Sequence, residues 1–233
     1  MVIKKGNIIL TAITAVLIIF LMFLIFRGEK TNPVFSTPLA GKVIVIDPGH
    51  GGFDAGASAQ NISEKGINLE IALLLKGFIE ENGGVAVLTR SRDESTADPN
   101  RPKTMSQKKS DLLMRRNLPK KCGADIFISI HLNKFSDPKY KGAQVFCAPD
   151  SKESEDLGKL LQAALIKNAD PENNREIKIG KSIFILKDPS VPSALIECGF
   201  LSNPNEAEKL TTTAYQKKIA WAIFLGISEY FTK

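Results

Sequence analysis

The stretch Val43-Ile44-Val45-Ile46-Asp47-Pro48-Gly49-His50-Gly51-Gly52 limits what this chain can fold into more than any other. Four β-branched apolar residues in a row predict a strand buried on both faces. Pro48 and the glycines stop it at once, because glycine accepts backbone angles that other residues avoid. His50, one of only two histidines in 233 residues, is thereby set on a tight turn at the carboxyl end of a buried strand. Open α/β sheets hold their ligand sites at such ends.

The second histidine occupies a matching place. Ala124-Asp125-Ile126-Phe127-Ile128-Ser129-Ile130-His131 is another apolar run that ends in an imidazole. A third run, Pro192-Ser193-Ala194-Leu195-Ile196-Glu197-Cys198-Gly199, ends in a carboxylate and a glycine, and Glu64 opens a long amphipathic segment. A parallel sheet would bring these two histidines and two glutamates to one edge. Two imidazoles and one carboxylate make a common catalytic zinc set with a coordination position left for water. The remaining carboxylate is then available as a base.

Taken singly, these residues mean little. A histidine at a strand end is more often structural than ligating, and a glutamate at a helix start ordinarily serves the helix dipole. Glu197 is harder to account for that way, since a carboxylate in an apolar run is rarely buried without a partner. The joint arrangement carries the site.

Around it the chain alternates strand and helix. Helices are expected over Ile62–Asn82, Ser110–Cys122 (with Pro119 kinking or shortening it), Ser154–Asn168, Asn203–Leu210 and Thr213–Tyr230. Further strands are expected over Val85–Thr89, Ala143–Ala148 and Ile183–Leu186, with Ser91–Gln107 and Asp170–Gly180 as polar loops. Such alternation predicts a single α/β domain, a mainly parallel twisted sheet covered by helices on both faces. The expected organisation is an N-terminal membrane anchor or signal segment over 1–30, a proline-containing linker over 31–41 and a catalytic domain over 42–233.

Ile8 to Phe26 is nineteen residues without a charge, flanked by Lys4, Lys5 and Arg27. That length spans a bilayer as a helix and exceeds the apolar core of a usual signal peptide. No clean small-residue cleavage site follows, so an uncleaved anchor is preferred to a cleaved signal, and the domain is expected to be exported in either case. Residues 28–233 carry 28 basic and 25 acidic side chains, about +3, which suits an anionic polymer. No basic cluster is interleaved with aromatics, which argues against nucleic acid. Cys122, Cys147 and Cys198 contain no Cys-x-x-Cys pair and are odd in number, so no closed disulfide framework is expected. Cys198 should point away from Glu197, as neighbours on a strand do.

Asp47-Pro48-Gly49-His50-Gly51-Gly52, Glu64-Lys65, Ser129-Ile130-His131-x-Asn133 and Glu197-x-Gly199-Phe200-x-Ser202-Asn203 together resemble the zinc-dependent N-acetylmuramoyl-L-alanine amidases. The resemblance runs in order from about Val43 to Tyr230. It implies that His50, Glu64 and His131 bind one Zn2+ and that Glu197 is the catalytic carboxylate. It also implies hydrolysis of the amide between N-acetylmuramic acid and L-alanine of peptidoglycan. Thr89, Arg90 and Arg115 fall at family positions where structural or substrate-orienting roles are implied, and Asn133 and Arg115 are taken as substrate-binding candidates.

Tightly controlled members of that family carry a long helical insertion that blocks the metal. Only 65 residues separate His131 from Glu197 here, and predicted elements use most of them, so no built-in plug is expected. Control would then come from membrane tethering, timing of synthesis or an activating partner protein. A single-domain, anchored chain is similar to the spore-cortex, germination-specific amidases, which implies a place on the wall side of the bacterial membrane or in the forespore envelope. Two other readings stand beside this one. A zinc carboxypeptidase would have its first ligands about three residues apart, whereas His50 and Glu64 are fourteen apart. A non-catalytic, amidase-like wall-binding regulator would be expected to have lost ligands or base, and all four residues are present.

Overall fold

The computed structural model describes residues 13–22, 37–59 and 62–233. Residues 13–22 are helical and form a unit of their own. Among the described residues no helix is long and apolar enough to cross a membrane. Of the anchor expected over Ile8–Phe26, residues 13–22 fall in that helix, and the rest lies outside the described residues, as does the linker up to residue 36.

The rest is one α/β unit, Thr37–Lys233. Its strands are β1 (Val43–Pro48), β2 (Ser58–Ala59), β3 (Ile62–Ser63), β4 (Val85–Leu88), β5 (Ile126–Asn133), β6 (Gln144–Cys147), β7 (Lys178–Ile179) and β8 (Ser193–Phe200). Its helices are α1 (Glu64–Glu81), α2 (Gln107–Cys122), α3 (Lys152–Asn168), α4 (Pro204–Leu210) and α5 (Thr213–Thr232). Six strands form one sheet in the order β4-β1-β5-β8-β6-β7, and β2 and β3 form a separate small ribbon. All neighbours in the large sheet run parallel except β6 and β8, which are antiparallel. The expected mainly parallel sheet is therefore present, with β6 and β7 at one edge running opposite to the other four strands.

The apolar runs form the central strands for the reason their composition suggests. Ile44, Val45 and Ile46 are fully buried, and so are Ile126, Ile128, Ile130, Ala194 and Ile196, because both faces of the sheet are covered. On one face α1, α3 and α5 pack over Ile44, Ile46, Ile128, Ile130 and Ile196. The other face holds a smaller core of Val45, Phe127 and Leu195 beneath α2 and a 3-10 turn at Phe184–Leu186. Asp47, Ser129, His131, Leu195 and Glu197 share the parity of that second face, which one helix and a turn cover only in part.

Several boundaries differ from the sequence expectation. Ile183–Leu186 is the 3-10 turn, not a strand; Asp188 (φ 49°) and Pro189 follow it, and Ile185 and Leu186 are buried in the smaller core without joining the sheet. A strand does form in the expected loop, at Lys178–Ile179, where two exposed residues pair with β6 and give no apolar signal. Pro119 neither kinks nor shortens α2. It lies in the last turn, and its carbonyl accepts the N–H groups of Gly123 and Ala124, so the helix ends on a left-handed cap at Gly123 (φ 62°).

Candidate active site

The site forms where β1, β5 and β8, adjacent in the sheet, reach their carboxyl ends. His50 follows β1 by two residues. His131 lies near the end of β5 and Glu197 near the end of β8, and these two are register partners. Glu64 is the first residue of α1, yet its side chain is buried rather than solvated at the helix end.

The His50 turn departs from ordinary backbone geometry. His50 has φ 62°, in the left-handed region that non-glycine residues seldom enter, and Gly51 and Gly52 follow with φ of 129° and 57°. Two buried arginines hold it there. Arg115 donates from Nη1 to the Pro48 carbonyl (2.7 Å) and from Nη2 to the His50 carbonyl (2.7 Å). Arg90 donates from Nε to Pro48 O (2.9 Å) and from Nη2 to Gly49 O (3.0 Å) and Lys65 O (2.8 Å). Gly49 has a separate reason to lack a side chain: a Cβ there would lie 2.2 Å from Cε1 of His131.

Beneath the turn, Asp47 is fully buried and paired with Arg115 Nη1 at 2.9 Å. Thr89 Oγ1 donates to its Oδ1 (2.6 Å) and Ser129 Oγ to its Oδ2 (2.7 Å). Burial works against this carboxylate, but Arg115, Thr89 and Ser129 outweigh it and hold its pKa below the usual value. Arg115 is itself only 2% exposed, and Asp111 accepts its Nε at 2.5 Å. Its guanidinium thus faces backbone and carboxylates of the protein. Asn133 ends β5 half-buried, with Oδ1 accepting the Lys134 N–H (2.8 Å).

Glu64 is the hub. Its Oε1 lies 2.9 Å from His131 Nδ1 and 3.2 Å from His50 Nε2, and it also accepts from Leu132 N (3.0 Å) and Asn68 Nδ2 (3.2 Å). Its Oε2 accepts from Ala57 N (2.7 Å). Burial raises the Glu64 pKa, but hydrogen bonds and charge from His131 and His50 override it and drive the value far below the carboxylate range. The two imidazoles stand edge to face with centroids 4.9 Å apart, each side chain about one-fifth open to solvent. His50 Nδ1 faces Asp54 Oδ2 at 3.1 Å, out of line for a hydrogen bond. Burial opposes a charged His50, but Glu64 and Asp54 outweigh it and raise its pKa.

One donor atom each from His50, Glu64 and His131 lies within 4.8 Å of the others. Two nitrogens converging on a carboxylate oxygen suit a divalent ion of zinc type, and three protein donors leave a position free. Glu197 is a different kind of carboxylate. Its Oε2 is buried and has no hydrogen-bond partner among the described residues. Burial, with the Glu64 charge adding to it and the histidines opposing it, pushes its pKa up to about 7. Cys198 is buried with its thiol pKa raised by burial, and it belongs to the core on the opposite face of the sheet. All three cysteines are free.

A family profile described as N-acetylmuramoyl-L-alanine amidase matches residues 44–229, which takes in every element from β1 to α5 that bears on the site. The chain belongs to the N-acetylmuramoyl-L-alanine amidase family. Like other N-acetylmuramoyl-L-alanine amidases it is a hydrolase of peptidoglycan. It is 37% identical to the germination-specific N-acetylmuramoyl-L-alanine amidase of Bacillus subtilis, over 94% of this chain and 92% of that one. It is 34% identical to the amidase AmiA of Escherichia coli, over 87% and 82%. Among solved structures, the CwlD amidase of Clostridioides difficile, in complex with the GerS lipoprotein, superposes with a TM-score of 0.79 at 45% identity, covering 82% of this chain and 99% of that one.

Among the described residues of this amidase nothing resembles a plug. The helix between His131 and Glu197 is α3, which packs against α5 and β6. Sequence reasoning missed Asn68, Asp47 and Asp54 as parts of the site. Asn68 left a trace: it is a polar residue one turn after Glu64, inside the apolar stripe of α1, and it is fully buried.

Proposed function

We propose that this amidase is zinc-dependent, with His50, Glu64 and His131 holding the ion and Glu197 moving the proton, and that its bond is the amide joining the lactyl group of N-acetylmuramic acid to L-alanine. The observation that carries the reading is the contrast between two buried carboxylates on one edge. Glu64 is saturated with donors and held ionised, as a ligand must be. Glu197 is unpartnered and has a pKa near 7, as a group that must both take and give a proton needs.

Zinc, when bound, supplies a Lewis acid that polarises the carbonyl and lowers the pKa of water. The rest falls to the protein. Glu197, ionised, accepts a proton from the attacking water at Oε2 and returns it to the amide nitrogen as the carbon–nitrogen bond breaks, releasing a free amine at L-alanine. Asn68, Leu132 N and Ala57 N fix the Glu64 carboxylate. Arg115 and Arg90 position the His50 turn through its carbonyls, and of the two roles expected for Arg115 from sequence we assign it the structural one. Asn133, partly open beside His131, remains the substrate-binding candidate.

The similarity to a germination-specific amidase supports action on spore cortex, on the wall side of the membrane. Because a relative was solved with a lipoprotein bound, and among the described residues no plug closes this site, we also propose that a partner protein governs it. The test is stem-peptide release from cortex and vegetative peptidoglycan by the full chain, with zinc, with chelator, and as Glu197→Gln. Zinc-dependent release, reduced about 10²–10⁴-fold in the variant, is expected. Full activity in a zinc-loaded Glu197→Gln protein would overturn the role of Glu197.

A further inference from the structure

On the β5–β8 flank of the site is an aromatic cluster that the reaction does not use. Phe135 lies on the loop after β5, four residues past His131, and Tyr140 lies on the same loop. Large apolar side chains are normally covered, yet Phe135 is 48% and Tyr140 39% exposed. Neither ring hangs free. Phe135 packs edge-on against Tyr140 (5.2 Å between centroids) and against Phe200 (5.3 Å), and Tyr140 stacks on Phe200 at 6.3 Å. Phe200 is fully buried and ends β8, three residues after Glu197.

The loop is also tied by its backbone. Phe135 N donates to Ser202 Oγ (3.1 Å), Asn203 Nδ2 to Pro138 O (2.8 Å) and Leu201 N to Asn133 O (2.8 Å). The guanidinium of Arg175 lies 4.6 Å from the centroid of Phe200. The exposed rings are therefore held rigidly on the strand ends that carry His131 and Glu197. At about 3.3 Å per strand residue, Phe200 lies within about 10 Å of Glu197 along β8.

Resting on the amidase reading above, we propose that Phe135 and Tyr140 form a stacking platform for a sugar ring of the glycan strand next to the muramic acid whose amide is cut. The scissile amide hangs from the lactyl group of that sugar, so the glycan must cross the edge of the site, and the platform is continuous with that edge. The C–H-rich face of a pyranose fits an aromatic face, and the Lys139 ammonium 5.4 Å from the Tyr140 centroid belongs to an exposed side chain paired with Asp137 that a sugar can displace. A preformed, rigid ring pair loses little conformational freedom on binding. The platform selects long glycan over isolated fragments by raising affinity for the strand, with no part in proton transfer.

The test compares the wild-type full chain with Phe135→Ala, Tyr140→Ala, the double variant and Tyr140→Phe. Two substrates are used: peptidoglycan with intact glycan strands, and a soluble muramoyl-peptide with no neighbouring sugar. The double variant should raise KM on strands about tenfold, from two aromatic contacts of ordinary strength, with kcat held within about twofold. KM on the soluble fragment should not change, and Tyr140→Phe should keep wild-type KM on strands. Co-sedimentation with peptide-free glycan strands supplies a second readout that needs no catalysis: the zinc-loaded Glu197→Gln chain should bind them, and the same chain with both rings removed should not. Unchanged KM on strands, an equal rise on the fragment, no difference in strand binding, or rings that serve only to join two copies of the chain would overturn the platform. Failure of the wild-type chain to release peptide from either substrate would count against the proposed reaction or point to a missing partner protein, and strand binding would still decide the platform.

Discussion

His131 and Glu197 face each other across β5 and β8 as register partners, so a ligand candidate and a base candidate sit side by side on adjacent strands. That pairing makes the two roles separable by mutation, because each residue belongs to a different strand and to a different hydrogen-bond environment.

Glu197→Gln keeps the shape of the side chain and removes only its basicity. Zinc titration of this variant should match wild type, while kcat falls about 10²–10⁴-fold. A variant that loses zinc as well would show that Glu197 is a ligand rather than a base.

Asn68 donates to both Glu64 Oε1 (3.2 Å) and Gly49 O (3.3 Å), bridging the ligand carboxylate to the histidine turn. Asn68→Ala should weaken zinc binding about 10–100-fold, the usual effect of removing the group that orients a ligand. Competition with a chromogenic chelator measures it, with far-ultraviolet circular dichroism confirming that the fold is intact.

Gly49→Ala tests the steric side of the same turn. The added methyl would meet the His131 ring at 2.2 Å, so the imidazole must move. Zinc affinity and activity should both drop sharply, while the thermal midpoint changes little because His131 is a partly exposed side chain rather than a core residue.

The Asp47–Arg115 pair sets a pH dependence of stability. The Asp47 carboxyl titrates below its usual value in the folded state, so its contribution is fully present above the unfolded value of about 3.9 and is lost as pH falls through the folded value. Urea midpoints of wild type and Asp47→Asn should therefore converge as pH falls below about 4. Arg115→Met leaves Asp47 buried without its partner and should cost about 3–5 kcal/mol at neutral pH, with part of that restored in the Asp47→Asn/Arg115→Met double variant.

Much of this protein can be read without coordinates. Unbroken β-branched runs cut off by glycine or proline can only be buried strands, so β1, β5 and β8 were legible, and with them the placing of His50, His131 and Glu197 at strand ends. Period 3.6 apolar stripes ending in glycine marked α1 in the same way. These signals are local, because burial and turn chemistry act on residues close along the chain. The tertiary structure alone decided that β5 lies between β1 and β8, that β6 runs antiparallel, and that Ile183–Leu186 packs as a turn rather than pairing as a strand. It alone decided the support of the site. Arg115 reaches Asp47, Pro48 and His50 across 65 to 68 residues of sequence, and Glu64 reaches His131 across 67. Such contacts follow from which strands become neighbours, and no short-range pattern records them.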